Sequence, residues 1–292
     1  MSMAPDAASQ AERARAERAT QLRQWHQQPP ILVLPNAWDA ASARIIEQAG
    51  ARAIATTSSG VAAALGYADG ERMSRDLMIE AIRRIAAAVA CPVTADIEAG
   101  YGDTVAAKLD TIGRVVAAGA VGINIEDSAR GANGETALVD VAAQAALIRA
   151  IRAAATAEWG MPLVINARVD VYLYGTGEDG ERLAEAVRRA KAYREAGADC
   201  VFPIGLSDAP TIGELVRAVG GSPVNILAGP HTPSVPELAD LGVARVSVGG
   251  GLSRVALGAV RRAAEELLRL GTFTNMERDA LPSPDLRRLF PH

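Results

Sequence analysis

Histidine and cysteine are scarce in this chain, with three and two among 292 residues. His26 and His292 stand near the ends and only His231 follows a predicted strand, so a Ser-His-Asp mechanism has little to draw on. Cys91 and Cys200 each enter an apolar run and share no CxxC spacing, which predicts buried thiols rather than a disulfide or a thiolate metal site. No apolar run approaches the roughly 20 residues of a membrane helix, and no hydrophobic signal opens the chain. A cytoplasmic protein without a membrane partner is expected. Basic charge is also short: 30 Lys and Arg stand against 34 Asp and Glu, for a net charge of −4. No field exists to gather nucleic acid.

Small aliphatic residues are abundant, at 49% hydrophobic but only 4% aromatic. Residues 7–27 mix Arg with Glu and lack Gly and Pro, which predicts a polar helix closed by Pro29 and Pro30. The interspersed acids argue against a transit peptide. From residue 31 onward a β-branched strand, a turn and an Ala-rich helix recur. Strands are predicted at 31–35, 53–57, 93–98, 122–126, 163–169, 200–204, 224–228 and 245–249. Helices are predicted at 39–49, 75–90, 104–118, 137–156, 179–196, 208–219, 234–241 and 253–270. Eight of each is the count of a (β/α)8 TIM barrel in the α/β class. A doubly wound open sheet has the same rhythm, but no G-x-G-x-x-G follows the first strand. The expected organisation is an N-terminal helical extension (1–30), a barrel (31–272) and a tail (273–292) that wraps a neighbouring subunit or ends loosely.

Barrel active sites lie at the carboxyl ends of the strands. The third strand ends Asp96-Ile97-Glu98, and two-residue periodicity places both acids on one face. Unpaired acids so placed repel, and a divalent cation relieves them. Glu126-Asp127 ends the next strand. Oxygen ligands without His or Cys indicate Mg²⁺ or Mn²⁺. Solvated strand-end acids are the alternative, and Asp103-Thr104 is read as a helix cap. Asn166, Arg168 and Asp170 share a phase. Arg168 suits a carboxylate or phosphate, or else a salt bridge to Asp170 or Glu126. Ser58, Ser59 and Gly60 offer hydroxyls and amides to a small anion, or form an ordinary loop. Asp69, further along, is within reach of a metal's water shell.

Over roughly residues 30 to 270 the chain resembles the isocitrate lyase and phosphoenolpyruvate mutase superfamily. The segments "PNAWDAASARIIEQAGARAIATTSSGVAAALGYADG", "DIEAGYG", "NIEDS" and "NARVD" carry the resemblance. It implies a Mg²⁺-dependent enzyme that makes or breaks a C–C or P–C bond beside the carboxylate of a small 2-oxo or 2-hydroxy acid. It implies Asp96 as the direct metal ligand, with Asp69, Glu98 and Glu126 acting through waters. It implies Ser59 and Gly60 on the substrate carboxylate and Arg168 on its oxygens. Homotetramers built as dimers of dimers, exchanging the helix at 253–270, are also implied.

The loop after Asp127, "SARGANGETAL", departs from the family. It lacks the Lys-Arg/Lys-Cys-Gly-His run of the isocitrate-type lyases and is too short for the phosphonomutase Lys and Asn. Glu98 stands where many relatives carry Asp. The expectation is therefore a lyase or decarboxylase working through an enolate, neither an isocitrate lyase nor a true phosphoenolpyruvate mutase, with Arg168, Glu126 and Asp69 in the chemistry. Phosphonate-type P–C chemistry with Arg130 replacing the loop lysine is one alternative, and a non-catalytic carboxylate binder is another. Specificity is assigned to the 128–138 loop together with Tyr67, Tyr101, Tyr172 and His231.

Overall fold

The computed structural model describes residues 7–131, 134–175 and 177–290, so His292 and two residues of the 128–138 loop lie outside the described residues. The chain opens with α1 (Ala7–Trp25), then β1 (Leu32–Leu34), β2 (Asn36–Ala37), α2 (Ala40–Gln48), β3 (Ile54–Thr56), α3 (Ser58–Ala64), α4 (Arg75–Ala88), β4 (Val93–Asp96) and α5 (Val105–Ala117). It continues through β5 (Gly122–Glu126), β6 (Ser128–Arg130), β7 (Thr136–Leu138), α6 (Val141–Ala157), β8 (Val164–Val169), α7 (Val171–Tyr174), α8 (Asp179–Glu195) and β9 (Cys200–Pro203). The last elements are α9 (Ala209–Ala218), β10 (Asn225–Leu227), α10 (Val235–Asp240), β11 (Arg245–Ser247), α11 (Gly251–Leu270), α12 (Thr274–Asp279) and α13 (Ser283–Leu289).

Pro35, which has no N–H to donate, splits the first barrel strand into β1 and β2. The halves serve opposite neighbours, β1 pairing with β11 and β2 with β3, all parallel. From β3 the ladder runs through β4, β5 and β8 to β9. A parallel bridge between Val201 and Val224 carries it toward β10, which pairs with β11. The ring closes on itself, so the fold is the expected (β/α)8 barrel and not the open sheet. Polar caps start the surrounding helices: Asp39 Oδ1 accepts the Ser42 N–H at 2.7 Å, and Thr104 Oγ1 accepts that of Ala107 at 3.2 Å. Left-handed glycines, Gly119 and Gly197 among them, turn the chain out of α5 and α8.

Three expectations are corrected. Ser58, Ser59 and Gly60 are not loop: they open α3, capped by Thr57. Residues 136–138 are not helix: they pair with Ser128–Arg130 as an antiparallel hairpin, and α6 waits for its cap at Asp140. The tail is not loose either. Phe273 onward forms α12 and α13, and Leu289 is buried as α13 packs on α2 of the same chain.

The barrel interior is more polar than the aliphatic composition suggests. Arg245, fully buried on β11, reaches across the ring to Asn124 Oδ1 on β5 at 3.2 Å. His26, expected merely to be terminal, is buried beside it, its Nε2 3.4 Å from Arg245 Nη1. Burial, then the Arg245 charge, pulls the imidazole down to about 3, so it stays neutral. The extension is docked, with Arg23 Nε 2.7 Å from the buried Asp199 carboxylate. Cys91 and Cys200 are free thiols, and burial pushes both up to about 12. Among the described residues no helix is long and apolar enough to cross a membrane.

Candidate active site

A cleft of about 400 Å³ opens at the carboxyl ends of the strands, lined by Asp69, Glu98, Glu126 and Arg168 together with Ser58 and Tyr174. A larger hollow of about 620 Å³ lies at the opposite end of the barrel, beside His26 and the Pro29-Pro30 turn. It holds no carboxylate, and barrel chemistry belongs to the other face. The cleft is the site.

Sheet register builds the first part of it. Glu126 on β5 and Arg168 on β8 are Cα partners, and Glu126 Oε2 lies 2.6 Å from Arg168 Nη1. The same guanidinium grips the buried Asp170, with Nε 2.6 Å from Oδ1 and Nη2 3.2 Å from Oδ2. Ser128 Oγ also donates to Asp170 Oδ2, at 2.5 Å. The structural alternative for Arg168 is thus present, with both carboxylates at once. Of five N–H donors in a guanidinium, three are spent here, and among the described residues one on each terminal nitrogen is left for a ligand. Burial raises the Glu126 carboxyl, Arg168 only partly offsets this, and Asp170, Asp96 and Glu98 push upward too.

The acid pair 96/98 converges by a route different from the strand alternation predicted. β4 ends at Asp96, and Glu98 sits in a turn with φ +52°, in the left-handed region. Glu98 is buried, its Oε2 accepting the Glu71 N–H at 2.6 Å and its Oε1 the Tyr101 O–H at 2.8 Å. Burial, then Asp96 and Asp69, lifts its carboxyl to about 7 despite those bonds. Asp96 accepts the Ser58 N–H on Oδ2 at 3.0 Å, leaving Oδ1 without a protein donor among the described residues. Asp69 comes from the loop after α3. Burial, and after it the Asp96 charge, raises its carboxyl, although the residue keeps an exposed side.

The remaining predicted residues fall elsewhere. Asn166 lies one pair below Arg168, inside the ring, its Nδ2 2.7 Å from Asn124 Oδ1. Ser59 bonds Thr57, Oγ to Oγ, at 3.1 Å. Gly60 is a packing glycine: a Cβ there would meet Thr57 Cγ2 at 2.7 Å and Trp38 Cβ at 3.0 Å. Asp127 faces away and is consumed by Arg189, Tyr193 and the Asp170 N–H. Tyr67, Tyr172 and His231 are not among the cleft residues, and Tyr101 enters only through its bonds to Glu98 and Glu71. Glu71, Arg72 and Tyr174 line the cleft without any sequence signal pointing to them, while Arg130 and Thr136 do so from the β6–β7 hairpin, within the 128–138 segment expected to set specificity.

Among the described residues no three Asp, Glu, His or Cys side chains stand close enough to chelate a metal directly. The donor set nevertheless fits Mg²⁺ held by one acid and by waters. It is all oxygen, and burial, with repulsion between neighbouring acids added to it, raises Asp69, Glu98 and Glu126 together.

Residues 22–268 match the family profile described as Phosphoenolpyruvate phosphomutase. A Burkholderia cenocepacia protein provisionally assigned as a lyase/mutase is 40% identical with a TM-score of 0.86, covering 96% of this chain and 98% of its own. A Corynebacterium glutamicum protein provisionally assigned as a 2-methylisocitrate lyase is 30% identical over 267 residues, 90% of this chain and 84% of that one. A phosphonopyruvate hydrolase solved with oxalate and Mg²⁺ is 27% identical with a TM-score of 0.80, covering 93% and 94%. Lyases, a hydrolase and a mutase thus share this fold. The chain belongs to the phosphoenolpyruvate mutase and isocitrate lyase family.

Proposed function

We propose that this protein is a Mg²⁺-dependent lyase that cleaves or decarboxylates a small 2-oxo or 2-hydroxy carboxylate through an enolate. The observation that carries the reading is the convergence of Asp69, Glu98 and Glu126 with Arg168 over Asp96 at the barrel mouth. Asp96 would hold the ion directly, and Asp69, Glu98 and Glu126 through waters. When bound, Mg²⁺ supplies Lewis acidity to the substrate oxygens and balances the surplus of carboxylates.

The chain's own groups supply the rest. Arg168, fixed by Glu126 and Asp170, presents its two remaining N–H donors to a substrate oxygen that gains charge as the bond breaks. Asp69 and Glu126, both with raised carboxyls, are placed to hold or release a proton at that oxygen or at the adjoining carbon. Neither role needs the cysteine-bearing loop that this chain lacks. Oxaloacetate and substituted malates are the substrates to try first, with product formation followed in Mg²⁺ and in chelator. Asp96→Asn should be inactive in either.

One observation favours a second reading, phosphonate-type P–C chemistry: Arg130 enters the cleft from the hairpin, where a phosphoryl group would meet a cation. A ³¹P spectrum after incubation with phosphonopyruvate separates the two.

The assembly belongs to the same proposal. Along α11 the apolar Val255, Val260 and Leu268 are 67, 66 and 84% exposed, apolar surface on more than one side of the helix that a second copy of the chain would cover. Exchange of α11 between protomers, and pairing of such dimers in the cytoplasm, is the form the family resemblance suggests.

A further inference from the structure

Among the described residues, the non-glycine residues with positive φ are Glu71 at +55°, Glu98 at +52° and Tyr101 at +53°. Side chains with a Cβ rarely adopt this region, and a residue held there is one its surroundings over-determine. These three come from two separate segments, yet they bond to one another. Glu71 N–H donates to Glu98 Oε2 at 2.6 Å, Tyr101 N–H to Glu71 Oε1 at 2.8 Å, and Tyr101 O–H to Glu98 Oε1 at 2.8 Å.

Two consequences follow for the acids. Both oxygens of Glu98 carry a donor, so its rotation is fixed and its free lone pairs point in set directions. Asp69 lies two residues before Glu71, on a segment that runs exposed between the buried Ala62 and Met73. Gly66 and Gly70, both at positive φ, leave that segment little stiffness of its own. The bonds made by Glu71 tie it to the turn that carries Glu98.

We propose that Tyr101 and Glu71 are positioning residues, which lock the Asp69 loop to the Glu98 turn and so set both acids over Asp96 for a hydrated divalent cation. Neither need touch the ion or the substrate. The inference rests on the Mg²⁺ reading above.

Its test is Mn²⁺ binding to the purified full chain without substrate, by calorimetry and electron paramagnetic resonance, with melting temperatures checked for each variant. Tyr101→Phe keeps the ring and deletes only the O–H donor, while Glu71→Ala deletes the acceptor for Tyr101 N–H. Each should weaken Mn²⁺ by about tenfold, the usual scale for partners that orient metal-site acids. Glu71→Gln keeps an acceptor oxygen and should rescue most of the loss. If wild-type protein and Asp96→Asn both take up no Mn²⁺, the metal reading falls and takes this inference with it. If wild-type binds and Tyr101→Phe binds as well, positioning alone is refuted. Equal losses in Glu71→Gln and Glu71→Ala would also refute it, by showing that the charge of Glu71, not its bond, matters.

Discussion

Glu126 and Arg168 are register partners on adjacent strands, and their side chains close to 2.6 Å at the barrel mouth. Backbone pairing delivers the contact, so the guanidinium is oriented before any ligand arrives. Pre-set donors of this kind need no reorganisation as charge develops.

Replacing Arg168 should therefore cost twice. Arg168→Met leaves Asp170 and Glu126 without their cation in a half-dry site, an effect on the order of 3–5 kcal/mol for a buried pair. Arg168→Lys restores charge but not the fork, and should recover stability better than turnover, which stays down by about a hundredfold. Denaturant titration beside steady-state kinetics separates the two effects.

Glu98 gives a pH signature. Its folded carboxyl stands near 7, above the ordinary 4.5, so protonation favours the folded state. Its contribution is complete below about 4.5 and is lost as pH rises through about 7. Mg²⁺ binds the ionised form, so the melting-temperature gain from added Mg²⁺ should be larger at pH 8 than at pH 6. Glu98→Gln should flatten that difference; an unchanged difference in this variant would assign it to another group.

Gly60→Ala tests the packing of the first helical turn of α3, which carries Ser58. The new methyl would sit 2.7 Å from Thr57 Cγ2 and 3.2 Å from Ser253 Oγ, so a loss of about 1–3 kcal/mol is expected. Thermal unfolding checks this, and a neutral result would show that the turn yields freely.

Charging the exposed face of α11 tests the assembly. Val255→Asp with Val260→Asp should leave the barrel folded by circular dichroism, because both side chains face outward in the single chain. Sedimentation velocity should report smaller particles than wild-type. A wild-type chain that sediments as a monomer would remove this part of the account.

The barrel was legible because its signals are local: β-branched runs, caps and glycine turns recur in order and need no distant contact. The tail helices are short and lack apolar periodicity, although "SPDL" places a proline at the first turn of α13, a usable start signal. Strand alternation brought Asp96 and Glu98 together for an incomplete reason, since a left-handed turn at Glu98 has no signature in residue type. Alternation also set Asn166 in phase with Arg168, but phase does not tell depth, and Asn166 stands one layer down against Asn124. Arg72 reaches the cleft from the segment before α4 and Tyr174 from the short helix α7, a convergence in space that spacing along the chain does not encode.

The most direct test is turnover of oxaloacetate, or of a substituted malate, by metal-free protein with and without added Mg²⁺. The account predicts no turnover in chelator, recovery on adding Mg²⁺, and no recovery in Asp96→Asn. Full activity in chelator, or in Asp96→Asn, would contradict it.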